Sequence, residues 1–238
     1  MVYFLTSSPC LPDSPALNPA NGFVDELRKA LPDPCRAVFV ASSPDDAEKT
    51  DRFAGEMRTG FELTGFRFER YQVLDRRNAD QCAELTAGAD LLILAGGHVP
   101  TQNRFFRELG LRECLAGYDG VVMGISAGTM NCEELVYAPP ELAGEAVDPG
   151  YRRFFPGLGI TKTMLFPHFQ ETRYEVVDGL STLENSLLPD SLGRRIYAMV
   201  DGAYLLGRDG DEELRGEAYL VADGALTQLG WENDIITL

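Results

Sequence analysis

Short apolar runs rich in β-branched and aromatic residues recur along this chain, separated by longer amphipathic stretches that carry most of its charge. This alternation is the pattern of parallel strands covered by helices, and it predicts an α/β fold. Strands are predicted over residues 2–5, 37–41, 68–74, 90–94, 120–124, 163–166 and 196–200, and helices over 22–30, 44–64, 78–87, 99–116, 127–135 and 173–187. Three further short runs, 203–206, 218–221 and 225–229, are separated by Gly/Asp turns and read as an antiparallel meander extending the sheet edge. With no Pro-, Gly- or Ser-rich linker before the meander, residues 1–238 are expected to form a single domain. Residues 137–159 fit neither pattern, being rich in Pro, Gly and acids, and predict a long loop of the kind that often walls a site.

Charge narrows the partners. With 37 acidic and 21 basic residues the formal charge is −16, and no Lys/Arg cluster interrupts it, which disfavours nucleic acid and anionic membrane. The five cysteines form an odd set without C-x-x-C spacing, pointing to reduced thiols rather than disulfides or a thiolate metal cage. The first residues lack a basic n-region and a long apolar h-region, and no apolar run reaches the roughly 18 residues of a membrane span, so a cytoplasmic protein is expected. Oligomeric state is left open.

The chemistry-bearing motif is Gly124-Ile125-Ser126-Ala127-Gly128, which joins a predicted buried strand to a predicted helix. A sharp turn there holds the serine in a strained conformation and requires small flanking residues. The Ala127 N–H then sits at a helix start, where it can donate to a developing oxyanion, and Gly96-Gly97 after the 90–94 strand can bring a second main-chain donor close. A serine nucleophile needs a base, and the chain has two histidines. His168 follows a predicted strand and is the better placed, whereas His98 follows Gly97 and is expected to touch substrate. For the carboxylate that orients the imidazole, Asp201 shares the strand-end placement, with Glu141, Glu145 and Asp148 of the long loop as alternatives. The order Ser, His, Asp differs from that of α/β-hydrolases, and two histidines 70 residues apart without H-E-x-x-H form no recognisable metal site. Neither metal nor cofactor is expected.

Leu94-Ala95-Gly96-Gly97, Gly124-Ile125-Ser126-Ala127-Gly128 and Phe166-Pro167-His168-Phe169, in this order, resemble the peptidase E (aspartyl dipeptidase) family over roughly residues 90–205. The resemblance implies a three-layer sandwich of the class I glutamine-amidotransferase type, with a mostly parallel central sheet flanked by helices. It also implies a serine peptidase cleaving dipeptides with N-terminal Asp. On that likeness Ser126 is the nucleophile, His168 its base and Asp201 the acid, with Glu141 as the alternative acid. Gly97 and Ala127 furnish the oxyanion hole, Gly96 and His98 lie near substrate, and Arg173 pairs with the substrate carboxylate. His98 stands where the family typically has Asn, Asp201 where it usually has Glu, and the segment from His168 to Arg173 is shorter than in well-known members. The alternatives are a cyanophycinase-like hydrolase of β-aspartyl linkages and a non-catalytic binding protein on the same scaffold.

Overall fold

Leu91–Leu94 is a strand in which all four side chains are buried, as expected where a parallel sheet is covered on both faces. In the computed structural model, which describes residues 1–238, it is β4 of five parallel strands. The others are β1 (Val2–Thr6), β2 (Cys35–Val40), β3 (Phe68–Leu74) and β5 (Val121–Ile125), and the order across the sheet is β1-β5-β4-β2-β3. Alternate residues feed opposite faces. Phe39, Leu91, Ile93 and Met123 pack with Phe23 and Leu27 of α1 (Phe23–Ala30) and Phe61 of α2 (Ala47–Leu63). Val38, Val40, Leu92 and Leu94 pack with Leu85 of α3 (Cys82–Ala87) and Phe105 and Phe106 of α4 (Val99–Leu109). Helix, sheet and helix are the three layers.

The antiparallel extension divides. Tyr204–Arg208, Asp211–Arg215 and Ile235–Thr237 continue the main sheet outward from β1, making eight strands. Ala218–Ala222 and Ala225–Gly230 instead join Arg195–Met199 and Met164–Phe166 in a separate four-stranded sheet. Within this second sheet Met164–Phe166 and Arg195–Met199 run parallel, so both finish at the same edge. A third apolar cluster, including Met130, Phe166, Phe169 and Ile196, seats it against the body.

Three predicted helices are corrected. The 99–116 helix breaks at Gly110, whose left-handed φ of 62° ends α4 before the short turn Leu111–Cys114. The 127–135 helix is only the turn Ala127–Met130, because Leu135–Tyr137 pairs as a strand with Phe154–Pro156 from inside the predicted loop. The 173–187 helix is replaced by the hairpin Val176–Val177 with Leu180–Ser181, followed by a π-helical turn, Thr182–Leu187. Asp178 and Gly179, both at positive φ, form the hairpin turn that stops a helix there. No helix is long and apolar enough to cross a membrane.

Candidate active site

The carboxyl ends of β1, β4 and β5 meet at one edge, the usual ligand-binding edge of an open α/β sheet. Ser126 is the first residue beyond β5. Its φ of 51° and ψ of −112° are strained for a residue with a Cβ. The strain is held by stitching to β1: the Ser126 N–H donates to the Thr6 carbonyl at 3.1 Å, the Thr129 hydroxyl donates to the same oxygen at 2.8 Å, and the Thr6 hydroxyl donates to the Gly124 carbonyl at 2.8 Å. Small neighbours are obligatory. A Cβ at Gly128 would lie 2.2 Å from the Leu94 carbonyl oxygen, and one at Gly124 would lie 2.8 Å from the Thr129 backbone. Gly96 packs against the Ser126 side chain, and Gly97 lies so close to Ser42 that a Cβ there would come within 2.5 Å of its hydroxyl. A buried network fixes this loop from beneath: Gln102 donates to the Ala95 carbonyl at 2.6 Å, and Asn131 donates to Gln102 at 3.0 Å.

His168 follows the strand Met164–Phe166 in a left-handed conformation, φ 56° and ψ 32°, and begins the turn Phe169–Thr172. Its Nδ1 lies 2.7 Å from Asp201 Oδ1, the residue two beyond the strand Arg195–Met199. The parallel pairing of those two strands is what sets the side chains together. Ser7, fully buried beyond β1, holds both: its hydroxyl donates to Asp201 Oδ1 at 2.7 Å and accepts from the His168 backbone N–H at 2.8 Å. Gln170 closes the arrangement by accepting from the Asp201 backbone N–H at 3.1 Å. Burial works against charge on the imidazole, but the hydrogen bond and charge of Asp201, with smaller help from Glu171 and Glu141, raise its pKa above the ordinary 6.5. Burial likewise works against charge on Asp201, and the bonds from His168, Ser7 and Gln170 overcome it to hold the carboxyl below its usual range.

Ser126, His168 and Gly97 line two adjoining cavities, of about 480 and 330 Å³. The larger is mostly apolar, walled by Phe39, Phe53, Met57 and Cys10, with Glu56 its one carboxylate. The smaller is acidic, walled by Glu141, Glu171 and Glu175, with Thr172 and Thr182 between them. Ser126 and His168 both line this shared space and make no hydrogen bond to one another; in such sites that bond often tightens only when substrate binds. No cluster of three or more His, Cys, Asp or Glu side chains is gathered as for a metal.

The remaining sequence candidates lie elsewhere. Of the four acids put forward for the histidine, Asp201 holds the ring, while Glu141 lines the acidic cavity. Poor solvation, together with Glu145 and Glu175, pushes Glu141 up to about 7, against a smaller opposing pull from His168. His98 touches neither cavity; its Nδ1 lies 2.8 Å from the Thr101 hydroxyl and its Nε2 2.9 Å from Glu145. Glu145 in turn accepts from the Glu141 and Leu142 backbone N–H groups, so His98 anchors the loop that carries Glu141. Asp148 caps its own turn by accepting from the Gly150 N–H. Arg173 also departs from expectation, since it lines neither cavity and lies over Phe169 at 5.1 Å and Tyr219 at 5.8 Å. Phe169, at the start of the turn, and Arg173, at its cap, pack together, whereas Glu171 within the turn and Glu175 beyond it meet the cleft. Ser7, Glu171 and Glu175 escaped the sequence reading. Ser7 stands two residues after a predicted strand, as His168 does, and the strand-end criterion that selected His168 selects it too.

No family model matches the chain, and no curated protein matches it. Among solved structures it resembles a peptidase from an acI-B1 actinobacterium, with TM-score 0.70 and 17% identity over 100% of this chain and 96% of that one. It also resembles a "putative peptidase E protein" from Listeria monocytogenes EGD-e, with TM-score 0.59 and 12% identity over 96% and 98% of the two chains. At these identities the likeness is one of fold.

Proposed function

We propose that the chain is a serine-type peptidase acting on short peptides. The reading rests on one observation above the others: a serine on a strained strand-to-helix turn shares a cleft with an imidazole whose far nitrogen is held by a carboxylate. With Nδ1–H donated to Asp201, the Nε2 lone pair of His168 is left to take the Ser126 proton. The serine oxygen attacks the amide carbonyl carbon, and the main-chain N–H groups of Gly97 and Ala127 receive the negative charge that moves to the carbonyl oxygen. His168 then protonates the departing amine, the C–N bond breaks, and water activated by the same imidazole hydrolyses the Ser126 ester. Two neighbours of similar fold carry the word peptidase in their descriptions, which supports the reaction class.

An aspartyl preference is not retained. The resemblance offered Arg173 as the partner of the substrate carboxylate, and Arg173 lies against Phe169 and Tyr219 instead, with no Lys or Arg lining either cavity. The test is release of free amines from unprotected dipeptides and tripeptides. Turnover by the wild type that vanishes in Ser126→Ala supports the reading, and turnover that survives in Ser126→Ala overturns it.

A further inference from the structure

The two cavities flank the same three groups, Gly97, Ser126 and His168, so a peptide bond placed at Ser126 has one neighbour in each. Both volumes fall in or near the range of small-ligand sites, roughly 300–1,000 Å³. Their chemistry differs. The aromatic and thioether walls of the larger suit an apolar side chain, with the single carboxylate of Glu56 among them, whereas the smaller presents three carboxylates and, apart from His168, no basic group. Lys49 and Arg52 pack on the Phe53 ring and line neither cavity.

We propose that the cleft selects peptides with a positively charged group in the cavity of Glu141, Glu171 and Glu175 and an apolar side chain in the cavity of Phe39, Phe53 and Met57. The acidic cavity thus takes a cation, where an aspartyl side chain would bring an anion. This rests on the serine-peptidase reading and names its substrate class. An aspartyl side chain in the acidic cavity would add a fourth carboxylate to the three that line it, with no Lys or Arg there to offset the charge. An ammonium offsets that charge, and the overall charge of −16 draws cations toward the cleft at low salt. The charge can come from the peptide's own α-amine or from a Lys or Arg side chain.

The experiment compares kcat/KM for Lys-Leu, Leu-Leu and Asp-Leu and their N-acetylated forms, with fluorophosphonate labelling of Ser126 measured in parallel. Lys-Leu and Leu-Leu should exceed Asp-Leu by about tenfold, as expected of a few screened ion pairs, and the gap should shrink as salt is raised. In the double variant Glu171→Gln/Glu175→Gln the gap should close to about threefold, through KM more than kcat. Loss of activity on N-acetylation identifies the α-amine as the cation, while retention by acetyl-Lys-Leu alone identifies the side chain; either result supports the proposal. Asp-Leu cleaved as fast as the others, or a gap unchanged in the double variant, overturns it while labelling leaves the serine-peptidase reading in place. Absence of both labelling and turnover overturns the two together.

Discussion

The molecule holds two histidine–carboxylate pairs built on similar terms and put to different uses. His168 lies 2.7 Å from Asp201, and His98 lies 2.9 Å from Glu145. Each ring is partly covered, with 32% of the His168 side chain and 22% of the His98 side chain exposed. The difference is what the second nitrogen meets. His98 spends Nδ1 on the Thr101 hydroxyl, so both of its nitrogens are engaged and the ring serves as a tether for residues 141–145. His168 has Nδ1 engaged, makes no hydrogen bond through Nε2, and lines the same cleft as Ser126. A carboxylate partner does not make a histidine a base; an unengaged nitrogen directed at a nucleophile does.

The largest expected effect separates the pairs. His168→Ala should lower kcat/KM for peptide hydrolysis by about 10⁴-fold or more, as removal of a base acting with its nucleophile does, whereas His98→Ala should lower it less than about threefold. Comparable losses in both would erase the distinction. Asp201→Asn comes next, with kcat down by about 10³- to 10⁴-fold because the wrong tautomer is held. Glu145→Gln keeps an acceptor for the backbone N–H groups at 141 and 142 and should change steady-state rates little. Ser7→Ala is expected to cost about tenfold in kcat with KM nearly constant, because Asp201 and the His168 main chain lose their common partner; Ser7→Thr should recover part of it. An unchanged kcat in Ser7→Ala would show that the bond is structural only.

The elbow and the tether differ in what the sequence reveals of them. Gly124 and Gly128 are demanded by backbone atoms less than 3 Å from any added Cβ, and such a demand leaves a local signature at fixed spacing. The layered sheet was equally legible, since buried strands such as Leu91–Leu94 must be apolar throughout. Arg173 was misplaced because its spacing from His168 does not say which face of a single helical turn it occupies; packing on Phe169 and Tyr219 decides that. The second sheet was hidden for a related reason. Strands at 163–166 and 196–200 are recognisable one by one, but their pairing apart from the main sheet follows from long-range packing of Phe166, Phe169 and Ile196. The bond from Ser7 to residues more than 160 positions away has no local signature either.

A smaller effect concerns pH. Because the base must be neutral, kcat/KM should rise with pH through a midpoint above 6.5. Stability runs the other way over that window. The raised pKa of His168 means its contribution is complete below the ordinary histidine value and is lost as pH climbs through the raised one. The lowered pKa of Asp201 means its contribution is present above the ordinary carboxyl value and is lost as pH falls through the lowered one. The difference in Tm between wild type and Asp201→Asn should therefore be greatest between those limits and should narrow on either side. A difference independent of pH would contradict the ionic character of the pair. At the elbow, Gly128→Ala should destabilise by about 1–3 kcal/mol, because the Leu94 carbonyl has to move, and a wild-type denaturation midpoint would contradict that packing.

The most direct measurement is the reaction of the folded protein with a fluorophosphonate, with the modified residue located by peptide mass spectrometry. A single adduct on Ser126, formed in the wild type and in His98→Ala but strongly slowed in His168→Ala, is the expected result. An unmodified Ser126 in folded wild-type protein, or an adduct that forms equally fast without His168, would contradict the assignment.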